Sequence, residues 1–234
     1  MSDISFAIAI ILKVNYLKIV LVSTMQIKLR YLMAKLDTKS KMVHAAIDLF
    51  HRQGVNATSI DQILESSGTG KSQFSHYFKT KEGLVHEALT YLHNVISSGE
   101  AATGYDIKSW KEMDQWFQGF IDFQKSVDFE RSCPIGTIGN DVASNQENLR
   151  KDVVEFLLWS RGRLANFFEE RKNAGELLEK VDPEALADFC IAIMQGGMLL
   201  TKMKRNSDMF ENAADQARAY IKSLRVTTKR KPLN

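Results

Sequence analysis

The chain has 234 residues, 44% of them hydrophobic and 25% charged, with three prolines and two cysteines, which suffices for a buried core and excludes collagen-like, disulfide-stapled and wholly disordered classes. Cys133 and Cys190 lie far apart with no CxxC spacing, which excludes a cysteine-based zinc site and points to a reducing compartment, the cytoplasm. The formal charge of +3 carries no argument for nucleic acid, because residues 1–32 hold Lys13, Lys18, Lys28 and Arg30 against Asp3 alone, leaving 27 of the 31 bases and 27 of the 28 acids to balance in the rest.

Ile4 to Val22 is mostly apolar but carries Lys13, Asn15 and Lys18 near its middle. Each central lysine costs roughly 2.5 to 3.5 kcal/mol on insertion, against about 0.5 gained per Ile or Leu, so a spanning helix is marginal. Asp3 and the lack of an A-x-A-like site argue against a secretory signal. Internal methionines stand at Met25 and Met33, and regular amphipathicity begins after the second. Residues 1–32 therefore read as an extension ahead of a start at Met33. A partner- or membrane-associating helix over residues 4–22 is the alternative, and a disordered leader a third reading.

Thr38 can cap a first helix with Val43, Ala46, Ile47 and Phe50 on one face, ending at Gly54. Thr58 and Ser59 suit the cap of a short helix carrying Ile60, Ile63 and Leu64, stopped by Ser67-Gly68. A second short helix over about Lys71 to Phe78 turns Phe74 and Phe78 inward and leaves Lys71, Gln73, Ser75 and His76 outside. Thr80 can cap a longer helix with Leu84, Ala88, Leu92 and Val95 on one face. Two short helices about a glycine turn, each buttressed by a longer one, is the layout of a DNA-binding helix-turn-helix. Thr69 to Lys81 holds three lysines and no acid, although a merely solvated face would look the same. All five histidines lie between residues 44 and 93 without H-E-x-x-H spacing, so neither a metal nor another cofactor is expected.

Thr58-Ser59-Ile60-Asp61-Gln62-Ile63-Leu64 through Gly68, then Lys71, then His76-Tyr77-Phe78-Lys79-Thr80-Lys81-Glu82-Gly83-Leu84 resembles the TetR family of transcriptional regulators. The resemblance implies an all-α protein. An N-terminal three-helix helix-turn-helix domain would span 37–97, with its motif at about 59–78. A larger helical ligand-binding and dimerisation domain would span 98–225, with a basic tail at 226–234. It also implies a homodimer on a palindromic double-stranded DNA operator and a small-molecule effector. Carried over by position, the DNA-binding residues are Thr58, Lys71, Ser72, Gln73, Ser75, His76, Tyr77 and Lys81, with Thr58 and Lys81 at phosphate positions. Gln73 suits a bidentate pair with adenine and Lys71 a bond to guanine. Three departures stand out: Gly70 where a serine often caps, Ser72 for a glycine, and Ser75 for a tyrosine, which leaves Thr69 as the expected cap.

Trp110, Trp116 and Trp159 lie among many phenylalanines, and Trp116, Phe120 and Phe123 share a helix face. Core packing explains these best from the residues alone. The resemblance implies a cavity among these helices, with Trp116, Phe120, Phe123, Cys133 and Trp159 as its candidate lining and a flat hydrophobic ligand. Pro134 fits a first helical turn and puts Cys133 at a helix N-terminus beside Arg131, which would lower the thiol pKa, with Glu130 opposing. The Cys133-Pro134-Ile135-Gly136 stretch resembles a branch of the family with electrophile-sensing members, while a packing cysteine is the simpler reading, as it is for Cys190. Asp182 and Pro183 open an apolar helix containing Gly196-Gly197, where a second helix is expected to approach closely. A last helix follows Asn206-Ser207-Asp208. These two, about 182–203 and 207–224, suit a four-helix bundle across a two-fold axis. No phosphate-binding glycine loop, GxSxG or metal-ligand run is present, so an enzyme is not expected. The sequence thus predicts a ligand-responsive regulator, a repressor before an activator, released by a small hydrophobic or electrophilic inducer. The competing reading is a membrane-associated interaction protein using residues 4–22.

Overall fold

A computed structural model describes residues 37–99, 104–142 and 146–226; residues 1–32 and the basic tail beyond Val226 lie outside the described residues. Nine α-helices occur among them: α1 (Thr38–Gln53), α2 (Ile60–Ser67), α3 (Lys71–Tyr77), α4 (Lys81–Ser97), α5 (Trp110–Ser126), α6 (Pro134–Asp141), α7 (Glu147–Asn173), α8 (Pro183–Lys204) and α9 (Asp208–Ser223). The described residues hold no strand, only an antiparallel bridge between Leu177 and Arg225. The protein is all-α, with a small N-terminal head and a larger helical body.

Asp37, not Thr38, caps α1: its carboxylate accepts from Ser40 N at 2.8 Å and from the Ser40 hydroxyl at 3.0 Å. A carboxylate at a helix N-terminus also meets the positive end of the macrodipole, which a threonine hydroxyl cannot match. Ser59 begins α2 with a reciprocal cap, accepting from Gln62 N while its own N–H donates to Gln62 Oε1 at 2.8 Å. Gly68 ends α2 in the left-handed region at φ 65°. Met42, Ala46, Phe50, Ile63, Phe74, Phe78, Leu84 and Ala88 fill the head's core.

In the body, α8 packs against α7, α9 and α5. It is long and apolar enough to cross a membrane by length and composition, but Leu186, Cys190, Met194 and Met198 are buried in the core. Its two central glycines have different surroundings. A Cβ on Gly197 would run into the ring of Phe210 on α9, whereas a Cβ on Gly196 would meet nothing within 4 Å. The close approach expected at this pair is thus made within one chain, at Gly197.

The end of α1 and the turn after it form the head–body seam. Arg131 pairs with Asp48 at 2.5 Å, and Lys202 on α8 donates to the carbonyls of His51 and Arg52 at 3.1 and 3.3 Å, closing the C-terminus of α1. Asp141, at the end of α6, accepts from Asn56 N at 3.1 Å and sits over Gly54, leaving no room there for a Cβ. On the other side, His86 of α4 meets Asp152 of α7 at 2.6 Å. A cavity of about 450 Å³ opens at the seam beside Gly54, Asp141 and Lys202.

Candidate nucleic-acid interface

Helix α3 has too few residues to hold itself together in water, so its hold on the head must come from packing. Phe74 and Phe78 supply it: both are buried, one turn apart, with ring centroids 5.6 Å from each other. With those two anchored, Lys71, Ser72, Gln73, Ser75, His76 and Tyr77 all lie exposed. Six of the eight residues predicted to contact DNA therefore share one outward surface.

The cap of α3 differs from expectation. Gly70 is the N-cap, and Gln73 reaches back to it, its Oε1 accepting from Gly70 N at 3.0 Å. The Thr69 hydroxyl is engaged with Ser67 Oγ at 2.6 Å instead. With no side chain on Gly70, the amide three residues on takes over part of the capping. The bond to Gly70 occupies one of the two acceptor sites of Gln73 Oε1, which leaves the second, and the amide NH2, for a bidentate pair with adenine.

The two predicted phosphate contacts are not equivalent to the rest. Thr58 is only 1% exposed; its hydroxyl donates to the Gly54 carbonyl at 2.6 Å and accepts from Gln53 Nε2 at 3.2 Å. It stabilises the α1–α2 turn from inside, and although it borders the groove between α2 and α3 it has almost no exposed surface there to offer a phosphate. Lys81 donates to the Val55 carbonyl at 2.5 Å, and partial burial lowers its pKa while the charge of Asp141 opposes the shift. Lys71 pairs with Asp61 at 3.1 Å on the exposed face. A buried threonine and a lysine tied to a carbonyl cannot be told from exposed ones by sequence position.

The candidate effector residues come together only in part. Trp116 and Phe120 are buried and in edge contact at 5.0 Å. Tyr105, unnoticed in the sequence, joins them to Trp159, with centroid distances of 5.6 Å to Trp116, 6.4 Å to Phe120 and 5.5 Å to Trp159. Phe123 is half-buried and makes no ring contact with this group among the described residues. The Trp116 indole N–H is buried without a hydrogen-bond partner, and burial pushes the Tyr105 phenol up.

Cys133 does cap α6, with Pro134 at the first position, but its thiol pKa is raised rather than lowered. Burial outweighs the hydrogen bonds that the Gly136 amide, Gln195 and the Ile135 amide direct at the sulfur, and Arg131 points to Asp48. Cys190 is fully buried and pushed up to about 12 by the same cause. Among the described residues no group of three or more His, Cys, Asp or Glu is placed to hold a metal ion.

A family model described as bacterial regulatory proteins, tetR family, matches residues 42–88, and one described as tetracyclin repressor-like, C-terminal domain, matches residues 111–217. An uncharacterised helix-turn-helix transcriptional regulator of Lactococcus lactis is 26% identical over 76% of this chain and 90% of its own length. The transcriptional repressor DhaR of a Mycobacterium species is 22% identical over 75% of this chain and 88% of its own. The crystal structure of a regulatory protein TetR from Rhodobacter sphaeroides superposes with a TM-score of 0.67 at 20% identity, covering 77% of this chain and 97% of the other.

Proposed function

Because the chain belongs to the TetR family of transcriptional regulators, a family of DNA-binding proteins and not of enzymes, we propose that it is a cytoplasmic ligand-responsive repressor that binds a palindromic operator as a homodimer. The observation that carries this reading is the outward surface of α3, where Gln73, Lys71, Ser72, Ser75, His76 and Tyr77 surround no core of their own. These side chains offer amide, ammonium, hydroxyl and imidazole groups, the donors and acceptors that base edges and phosphates pair with. The membrane-associated alternative depends on residues 4–22, outside the described residues, and the relatives give it no support.

Dimerisation through α8 and α9 is supported by what these helices leave uncovered: Leu200, Met209 and Tyr220 are exposed apolar side chains, while Leu199 and Met203, also exposed, border the head–body seam cavity together with Gly196. Two α3 helices about 34 to 36 Å apart would enter successive major grooves. An inducer favouring a dimer of different separation lowers DNA affinity by its preference for that state. The rings around Tyr105 are buried against one another, and the unpartnered indole N–H of Trp116 is the feature among them that would suit an acceptor on a flat hydrophobic inducer. The buried, protonated Cys133 favours that class over an electrophile. The test is genome-wide binding followed by mobility shifts on the recovered sites. Recovery of palindromic sites near regulated promoters supports the reading, and an absence of sequence-selective binding overturns it.

A further inference from the structure

A groove of about 680 Å³ runs between the start of α2 and the side of α3, bordered by Ser59, Asp61, Lys71, Ser75, Lys79 and Lys81. Its charges do not all face outward unspent. Lys71 and Asp61 neutralise each other, and Lys81 is held by the Val55 carbonyl. The Lys79 side chain is exposed and has no ion pair or hydrogen bond among the described residues.

The backbone at Lys79 adds a second observation. Its φ is 63°, and Thr80 N donates to the Phe78 carbonyl across it at 2.7 Å, a tight three-residue turn that glycine accommodates with less strain than any residue bearing a Cβ. The turn is fixed on both sides by Phe78 in the core and Thr80 capping α4. A lysine here is thus a worse fit to the fold than glycine, while its ammonium lies free beside the outward face of α3, one turn beyond the short Ser75.

We infer that Lys79 is a DNA-phosphate contact, gripping the backbone from the groove between α2 and α3, where Thr58 borders the groove but has its hydroxyl engaged by Gly54 and Gln53. This inference rests on the regulator reading above. The site accepts a phosphodiester because it offers the free Lys79 ammonium, the charge of Lys81, which no ion pair among the described residues cancels, two serine hydroxyls and the N-terminal end of α2, whose dipole favours an anion.

The test measures anisotropy of a fluorescent random-sequence 30-base-pair duplex at about 50 to 200 mM salt, with the melting temperature of each full-length variant alongside. Lys79→Gly relieves the turn and should melt about 2 to 4 °C higher, yet bind every duplex less well. Its log–log salt slope should shrink by about 0.9 per protomer, so that a dimer loses about 12-fold less affinity over that salt range than wild type. Lys79→Gln should show the same slope change, and Lys79→Arg the wild-type slope. A wild type that binds while Lys79→Gly and Lys79→Gln keep its slope overturns the role of Lys79 alone. A wild type with no salt-dependent affinity for any duplex overturns the regulator reading and this contact with it.

Discussion

Gly196 and Gly197 are neighbours on α8, yet substitution by alanine should move stability in opposite directions. Replacing glycine in a helix interior contributes about 1 kcal/mol of propensity at either site. At Gly196 nothing opposes it, since the new Cβ would find open space. At Gly197 the Cβ would overlap the ring of Phe210, which is fully buried and has no free volume to retreat into. Overpacking of this kind costs about 1 to 3 kcal/mol, enough to cancel the propensity gain and exceed it when the ring cannot repack. The difference between the two variants is then about 2 kcal/mol, or roughly 4 to 8 °C in melting temperature for a chain of this size. Dilution series of thermal and urea unfolding measure it, and they separate fold from assembly. Gly197→Ala should be destabilised, and Gly196→Ala, whose new Cβ would stand at the edge of the seam cavity, stabilised by about 1 kcal/mol, each at every protein concentration. Equal effects at the two positions would refute the assignment of the close approach to α9 of the same chain.

Gln73→Ala should weaken the cognate operator by about 1 to 3 kcal/mol and relax preference at one base position, as read by competition between single-base operator variants. Because Gln73 also bonds the Gly70 amide, the same variant should lower the melting temperature slightly, a double effect that pure base reading would not produce. Cys133 in the folded protein should resist maleimide at pH 7 and react at a rate that follows unfolding; fast labelling of the native state would contradict its buried, raised thiol. His51 is held down to about 4 by burial, with Arg131 adding to the shift, Asp48 opposing it and Lys202 reinforcing it. A folded-state pKa below the unfolded value means that the unfolded chain takes up the proton first. The stability it contributes is therefore full above about pH 6.5 and lost as pH falls towards 4, and His51→Gln should flatten that part of the stability–pH curve.

The head was largely legible because its signals are local. The apolar spacing of Phe74 and Phe78, the cap at Ser59 and the left-handed Gly68 each fix their own turn of chain, and the structure shows all three, adding Gln62 as the reciprocal partner of the cap. Legibility failed where a side chain's role depends on what lies far along the chain. Thr58 looks like a surface hydroxyl until α1 closes over it, and the Lys81 ammonium looks wholly free until Val55 takes one of its three N–H donors. Pro134 is enough to mark Cys133 as the start of α6, but the sign of the thiol's pKa shift is decided by the burial that other helices impose. The role of Tyr105 is hidden in the sequence for the same reason. It precedes α5 in a segment without periodicity, and only tertiary packing brings its ring to Trp116 and Trp159.

The three lysines between residues 71 and 81 show how little a local charge count determines. All three border one groove, but Lys71 is paired with Asp61 and Lys81 holds the α1–α2 turn. The same turn is gripped from the body by Asp141 through the Asn56 amide, so Lys81 and Asp141 restrain adjacent residues from opposite sides of the seam. Movement of α6 would therefore change the setting of α2 before it changed α3, whose own anchors, Phe74 and Phe78, lie in the head's core. A phosphate held between the start of α2 and Lys79 would feel that movement directly. Lys79 variants should accordingly alter both the affinity for DNA and how strongly an inducer acting through α6 lowers it, whereas Gln73 variants should alter affinity and sequence preference with the inducer's effect unchanged. Paired measurements of operator affinity with and without inducer separate the two, and an inducer effect equal in both variants would show that α2 does not carry the signal.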